Sequence, residues 1–319
     1  MSVALFTLGG TISMAGSHRL SGDDLTAAMP GLSGLAHQVE IQDIDKIPSA
    51  DLTAARLLEV IDAASKAVTA GAAGAVVTQG TDTLEESAFL ADLVWPHPQP
   101  LVFTGAMRNP TLAGPDGPAN LLAALRVACS PAARDLGALV VFKEEIHAAR
   151  WVRKTHSTST ATFVSPNTGP IGHVVEDQVR VLTHPLRLDG VQGSPEPATL
   201  DSTRVALYTV TLDDDGLLLQ GLADTHQGLV VAGYGVGHVP SALAPVLGEL
   251  AGRIPVVLTS RTGAGSVLRN TYHSPGSETD LLGRGLIDGG FLDPYKARIL
   301  LRLLLATNED LAGGFGQYV

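Results

Sequence analysis

Two short stretches place hydroxyls where apolar runs stop. "LGGTI", Leu8 to Ile12, follows the run Val3-Ala4-Leu5-Phe6, and "TQGTDTLEES", Thr78 to Ser87, closes the run that begins at Gly74. The two glycines ahead of Thr11 suit a tight turn, because glycine adopts backbone angles that a Cβ resists. They equally suit a reactive hydroxyl presented at a sheet edge, and the stretch alone serves both readings. A threonine hydroxyl is a weak nucleophile until a base takes its proton. Lys154, in the polar stretch "RWVRKTHSTSTATF" from Arg150 to Phe163, is a candidate base, since a desolvated lysine held by a carboxylate can move protons. By position alone it equally suits a solvated surface.

Thr83 and Glu86 have the spacing of a capping box, which predicts a helix from Thr83 with Thr81 and Asp82 just before its positive end. Unpaired N–H groups there favour an anion, and Asp82 offers an acceptor for an ammonium. A loop presenting both suits a zwitterionic amino acid. Thr81 and Asp82 are also ordinary turn and capping residues. No G-x-S-x-G elbow is present and the histidines lack metal-ligand spacing, so neither a serine-hydrolase site nor a metal site is expected.

The elements that position these residues follow from periodicity. Short apolar runs at Val3 to Leu8, Gly74 to Thr78, Leu101 to Thr104 and Ala138 to Phe142 read as strands buried on both faces. Between them, Thr53 to Thr69, Thr83 to Trp95 and Asn120 to Ala128 read as helices. The fold class expected is α/β, with a larger N-terminal doubly wound domain over residues 1–185 and a linker over 186–203 rich in Pro, Gly and Ser. A smaller C-terminal α/β domain is expected over 204–319, with strands at Val205 to Val210, Gly228 to Gly233 and Pro255 to Ser260, and helices at Ser241 to Ala251 and Pro294 to Ala306. In open parallel sheets ligands bind outside the carboxyl ends of the strands. Gly9-Gly10-Thr11, Gln79-Gly80-Thr81-Asp82 and Gly105-Ala106-Met107-Arg108 all follow strands and are expected to converge.

Composition limits the partners. The 319 residues carry a formal net charge of -11 with no basic block, which argues against nucleic acid or anionic membrane as the ligand. The single cysteine, Cys129, permits no intrachain disulfide and no cysteine-based metal cluster. No apolar run spans a bilayer and the opening residues lack the pattern of a secretory signal, so a cytoplasmic protein is expected.

Six motifs in order carry a resemblance: "LGGTI", "TQGTDTLEE" at Thr78 to Glu86, "TGAMR" at Thr104 to Arg108, "DGPANL" at Asp116 to Leu121, "KTHSTSTATF" at Lys154 to Phe163 and "DPYKARILL" at Asp293 to Leu301. Over its length the chain resembles the bacterial-type L-asparaginases, amidohydrolases with two threonine centres. The resemblance implies Thr11 as primary nucleophile and Thr81, Asp82 and Lys154 as a second, connected centre. It implies Ser49 as the residue that holds the substrate α-carboxylate and Ala106 as the backbone carbonyl that meets the side-chain amide. Gly10 and Gly80 join them as substrate-binding positions. Glu278 matches an acid that reaches a neighbouring subunit's site, which implies a homodimer or homotetramer with shared sites, a small-molecule substrate and no cofactor.

Three departures stand out. The family usually carries a tyrosine in the loop after the first threonine, whereas residues 12–30 contain none and the first tyrosine is Tyr208. Either another group, such as Tyr272, takes that role, or Thr11 relies on water and Lys154. Position 50 is Ala where some members with glutaminase activity have Gln, and His238 stands where a substrate-contacting Asn from the neighbouring subunit is often found. The leading expectation is hydrolysis of L-asparagine to L-aspartate and ammonia through a threonine acyl-enzyme. The alternatives are a glutaminase-asparaginase, an amidotransferase subunit, or an amino-acid sensor with little turnover.

Overall fold

The computed structural model describes residues 2–15, 18, 19, 21–27, 29, 31–191, 193 and 195–318. Residues 16, 17, 20, 28 and 30 of the tyrosine-free loop, and 192 and 194 of the expected linker, lie outside the described residues. The chain divides into two compact units, Met1–Gly190 and Val191–Val319.

The first unit is built on the strands β1 (Ser2–Thr7), β4 (Gln38–Asp43), β5 (Ala75–Thr78), β6 (Leu101–Thr104), β7 (Ala138–Phe142), β8 (Glu145–Ala148), β11 (Gly172–Val175) and β12 (Gln178–Val181). They form one eight-stranded sheet in the order β12-β11-β8-β7-β6-β5-β1-β4. Two short antiparallel pairs, β2 (Met14–Ala15) with β3 (His18–Arg19) and β9 (Arg153–Lys154) with β10 (Phe163–Val164), lie outside it. Its helices are α1 (Gly22–Ala27), α2 (Ala54–Thr69), α3 (Leu84–Val94) and α4 (Gly117–Cys129).

β4, β1, β5, β6 and β7 run parallel, in the register Leu5↔Val76, Val76↔Val102 and Val102↔Leu139. β5, β6 and β7 are buried throughout, and β1 in all but its first residue, because helices cover both faces, whereas β4 lies at the sheet's edge. Val3, Leu5, Val76, Val102 and Leu139 share a core with Leu121, Ala124 and Leu125 of α4. Alternation along each strand turns Ala4, Phe6, Val77 and Phe103 to the opposite face, where α2 and α3 pack against the sheet.

The sheet differs from a purely parallel one. β8, β11 and β12 extend it antiparallel. Their short, alternating sequences carry little of the continuous apolar signal that marks the central strands. The chain leaves β1 toward β4 on one side and returns to β5 on the other, so the strand order reverses between β1 and β5. That reversal is where an open α/β sheet leaves a crevice, and the loops of Thr11 and Thr81 flank it.

The second unit has four parallel strands, β13 (Val205–Thr209), β14 (Gly228–Gly233), β15 (Val256–Ser260) and β16 (Ile287–Asp288), in sequential order. Its helices are α5 (Pro197–Ser202), α6 (Leu243–Ala251), α7 (Glu278–Gly283), α8 (Pro294–Thr307) and α9 (Leu311–Gly316). Leu243, Leu247 and Leu250 of α6 pack on Leu229, Val231, Val256 and Leu258, and α8 packs on β13 and β14. α5 lies within the expected linker: Pro197 opens it and Leu200 is fully buried. No helix among the described residues is long and apolar enough to cross a membrane. Cys129 is half-buried, and burial pushes its thiol up to about 11.

Candidate active site

Backbone, more than side chains, draws the loops of the first unit together. Leu8 N–H donates to the Thr78 carbonyl at 2.9 Å, and Gln79 N–H donates to the Thr104 carbonyl at 3.1 Å, so three strand ends step across the sheet in line. Gly10 has φ 86° and a Cβ there would lie 2.3 Å from the Gly80 nitrogen. A Cβ on Gly80 would lie 2.5 Å from Ser49 Oγ, and one on Gly105 would lie 2.5 Å from the Gln79 carbonyl oxygen. Only glycine permits backbones this close. Gly10 and Gly80 thus place Thr11 and Thr81 on loops that touch.

Thr11 opens a 3-10 turn, Thr11–Ser13, and is half-buried. Its hydroxyl makes no hydrogen bond among the described residues. Thr81 is buried and its Oγ1 accepts from Lys154 Nζ at 3.0 Å, while Lys154 Nζ also donates to Asp82 Oδ1 at 3.0 Å. The ammonium that Asp82 faces is therefore that of Lys154. The lysine side chain is 16% exposed and its carboxylate partner 69%. Lys154 reaches the loop from β9, whose backbone amide at Lys154 donates to Glu85 Oε2 at 3.1 Å. Glu85 is buried in the first turn of α3.

Thr83 is the N-cap of α3, yet its hydroxyl does not cap the helix. It donates instead to the Ser49 carbonyl at 2.9 Å. The Thr83 half of the expected capping box is thus replaced by a link to another loop. Ser49 is buried at the start of the 3-10 turn Ser49–Asp51, and its Oγ accepts from the Asp82 amide at 3.3 Å. Ala106 is buried one residue beyond Gly105. Asp116 fixes that loop by accepting from the amides of Met107 and Arg108 at 3.1 and 2.9 Å. Asn120 joins the Gly105 carbonyl at 3.0 Å to the Lys143 amide at 2.9 Å.

Asp116, Asn120, Glu85 and Thr83 are supporting residues to which sequence reasoning gave no such role. Asp and Asn at the start of a helix signal capping, and nothing local tells that Asp116 caps a neighbouring loop.

In the second unit Glu278 and His238 come together. Glu278 Oε1 accepts from the amides of Thr271 and Tyr272 at 3.0 and 2.8 Å, and Oε2 lies 3.1 Å from His238 Nε2. Burial pushes this carboxyl up, but the amides of Tyr272, Glu278 and Thr271 and the His238 bond outweigh it and hold it below its ordinary value. The Glu278 side chain is fully enclosed, whereas that of His238 is 34% exposed. Tyr272, half exposed, stands edge-on to the His238 ring with centroids 4.7 Å apart. Among the described residues no group of three or more His, Cys, Asp or Glu is arranged to hold a metal.

Residues 2–187 match the family described as Asparaginase, N-terminal, and residues 204–313 match the Glutaminase/Asparaginase C-terminal domain. A probable L-asparaginase of Deinococcus radiodurans is 36% identical, over 99% of this chain and 98% of that protein. An L-asparaginase of Bacillus licheniformis is 34% identical, over 97% of this chain and 96% of its own length. The crystal structure of a probable cytoplasmic L-asparaginase from Campylobacter jejuni superposes with a TM-score of 0.88 at 30% identity, covering 99% of this chain and 98% of the other.

Proposed function

The chain belongs to the asparaginase family, and from that premise we propose that it hydrolyses L-asparagine to L-aspartate and ammonia through a threonine acyl-enzyme. The observation that carries this reading is the enclosed Lys154 ammonium, 3.0 Å from both Thr81 Oγ1 and Asp82 Oδ1, beside the Gly10–Gly80 contact that brings the Thr11 loop alongside. An amino-acid sensor has no use for a lysine donating to a buried threonine.

Thr11 Oγ1 attacks the side-chain amide carbon and loses its proton to the nitrogen side, the C–N bond breaks, and ammonia leaves. Water then attacks the ester and its proton returns to the Thr11 oxygen, releasing aspartate. Neutral Lys154 carries these protons: it takes one through Thr81 as the oxygen nucleophile attacks and returns it to the leaving nitrogen or to the Thr11 oxygen, with Asp82 holding it in place. Ser49 and the N-terminal amides of α3 take the α-carboxylate, and the Ala106 carbonyl takes the side-chain amide. The scheme needs no cofactor.

Purified protein given L-asparagine should release ammonia and aspartate in equal amounts. Binding of asparagine without ammonia would favour the sensor.

His238 and Tyr272 face outward over a buried Glu278, which fits a contribution to a neighbouring copy of the chain. Mixing inactive Thr11→Ala protein with inactive His238→Ala protein should then restore activity through hybrid dimers or tetramers, and independent sites would give none. Cytoplasmic location is supported by the name of the Campylobacter neighbour, while a Haemophilus influenzae relative 32% identical is named periplasmic. Cell fractionation decides between them.

A further inference from the structure

The bond from Thr83 to Ser49 is not one that α3 needs. An N-cap threonine ordinarily accepts from an amide of the first turn, and here the hydroxyl proton goes to a carbonyl 34 residues away in sequence. Behind it, Gln79 Nε2 donates to the Gly80 carbonyl at 3.3 Å and, at a long 3.5 Å, to Thr83 Oγ1. Gln79 Oε1 is buried and has no hydrogen-bond partner among the described residues. Exchanging its two amide atoms would set oxygen against the Gly80 carbonyl, so the orientation is fixed by its neighbours. A buried acceptor left unbonded costs stability, and such groups in a folded chain call for an explanation.

Ser49 supplies one. Its Oγ accepts from the Asp82 amide through a lone pair, which leaves its proton to be donated elsewhere. Two bonds tie the Ser49 turn to this loop: the Asp82 amide donates to Ser49 Oγ, and the Thr83 hydroxyl donates to the Ser49 carbonyl. Of these only Thr83 acts through a side chain.

We propose that Thr83, backed by Gln79, is a positioning residue for substrate binding. It ties the Ser49 turn to the start of α3, so that the Ser49 hydroxyl and the helix amides meet one carboxylate together. The inference rests on the reading of Ser49 as the residue that takes the α-carboxylate. Gln79 accepts an unbonded oxygen in order to hold the Gly80 carbonyl and the Thr83 hydroxyl at once.

The test measures KM and kcat for L-asparagine, the Kd for L-aspartate and Tm in four variants. Ser49→Ala sets the reference and should raise KM and Kd. Thr83→Val should raise both by about tenfold, the scale of one net hydrogen bond, with a much smaller change in kcat, and Thr83→Ser should restore them. Gln79→Met keeps the bulk while deleting both the donor and the unbonded acceptor. It should raise KM a few-fold with Tm unchanged or higher, an outcome that a merely structural glutamine would not produce.

An unchanged KM in Thr83→Val, beside a raised KM in Ser49→Ala, overturns the inference and leaves Ser49 in its role. An unchanged KM in Ser49→Ala overturns both. Should Thr83→Val not fold, an unchanged KM in a folded Gln79→Met overturns the inference.

Discussion

Each unit sets a carboxylate against a nitrogen base, and burial runs in opposite directions in the two pairs. In the first unit the base is enclosed and the acid lies outside: Lys154 is 16% exposed and Asp82 69%. In the second the acid is enclosed and the base lies outside, with Glu278 at 0% and His238 at 34%. An enclosed nitrogen that already touches a threonine hydroxyl has its hydrogen-bond partner inside its own unit. A carboxylate held by backbone amides and an imidazole has its own bonds filled, and it orients the histidine. The first pair thus encloses its nitrogen and the second exposes it. Thr11 has neither kind of partner among the described residues, and this asymmetry makes it the sharpest place to test the scheme.

Thr11→Ala leaves the Lys154, Thr81 and Asp82 cluster untouched, and the largest effect is expected here, a loss on the order of 10⁴-fold or more in kcat with the fold retained. Mass spectrometry of acid-quenched wild type should locate the acyl group on the peptide that contains Thr11. An acyl group on Thr81, or near-normal turnover in Thr11→Ala, would break the assignment by giving the nucleophile to the threonine beside the enclosed base.

Lys154→Met keeps the length of the side chain and removes its amine. Loss of a general base lowers kcat by about 10² to 10⁴-fold, while aspartate binding should fall far less. Equal losses in rate and binding would make Lys154 a substrate clamp and would strip the first pair of its chemical role.

The sequence made the central part of this arrangement legible and left its edges obscure, for physical reasons. β1, β5, β6 and β7 are buried on both faces, so their residues are continuously apolar and the loops that follow them stand out. β4, with the sequence QVEIQD, has no fully buried residue. Its polar alternation reads poorly without its partner β1. The same holds for β12, QVRV, at the other edge. Within the site, Thr81, Asp82 and Lys154 were legible as candidates, since their types suit proton transfer.

The supports were not legible. Asp116 and Thr83 occupy ordinary capping positions, and only the folded chain turns one to the Met107 amide and the other to the Ser49 carbonyl. His238 and Glu278 lie 40 residues apart, and no local pattern announces that Nε2 and Oε2 will meet.

Substrate length tests the wall of the first unit. Ala50 follows the buried Ser49 and is exposed, offering no side-chain hydrogen bond to a longer substrate. Preference for asparagine over glutamine by kcat/KM should be at least the ten- to two-hundredfold that one methylene gives, roughly. Ala50→Gln should narrow the ratio. Comparable values for both amides in the wild type would refute the preference, and an unchanged ratio in Ala50→Gln would remove that position from the explanation.

The smallest effect concerns the second pair and reads out in stability. Glu278 has a folded-state value below its ordinary one, because its amide bonds and His238 together outweigh the opposing pull of burial. A carboxyl lowered on folding contributes stability that is fully present above its unfolded value, near the usual glutamate range, and is lost as pH falls through the lower folded value. Glu278→Gln removes the charge but keeps an oxygen that accepts from one amide, so a loss of ~1.5–3 kcal/mol at neutral pH is expected, the scale of a bond to a charged group. Urea unfolding at neutral pH and below the ordinary glutamate range should show the gap between wild type and variant close as the wild-type carboxyl protonates. Asp82→Asn, at a mostly exposed ion pair, should cost less at neutral pH. A gap for Glu278→Gln that stayed constant across that range would mean that the ionised carboxylate contributes shape rather than charge. The opposed burial of the two pairs would then carry no electrostatic meaning.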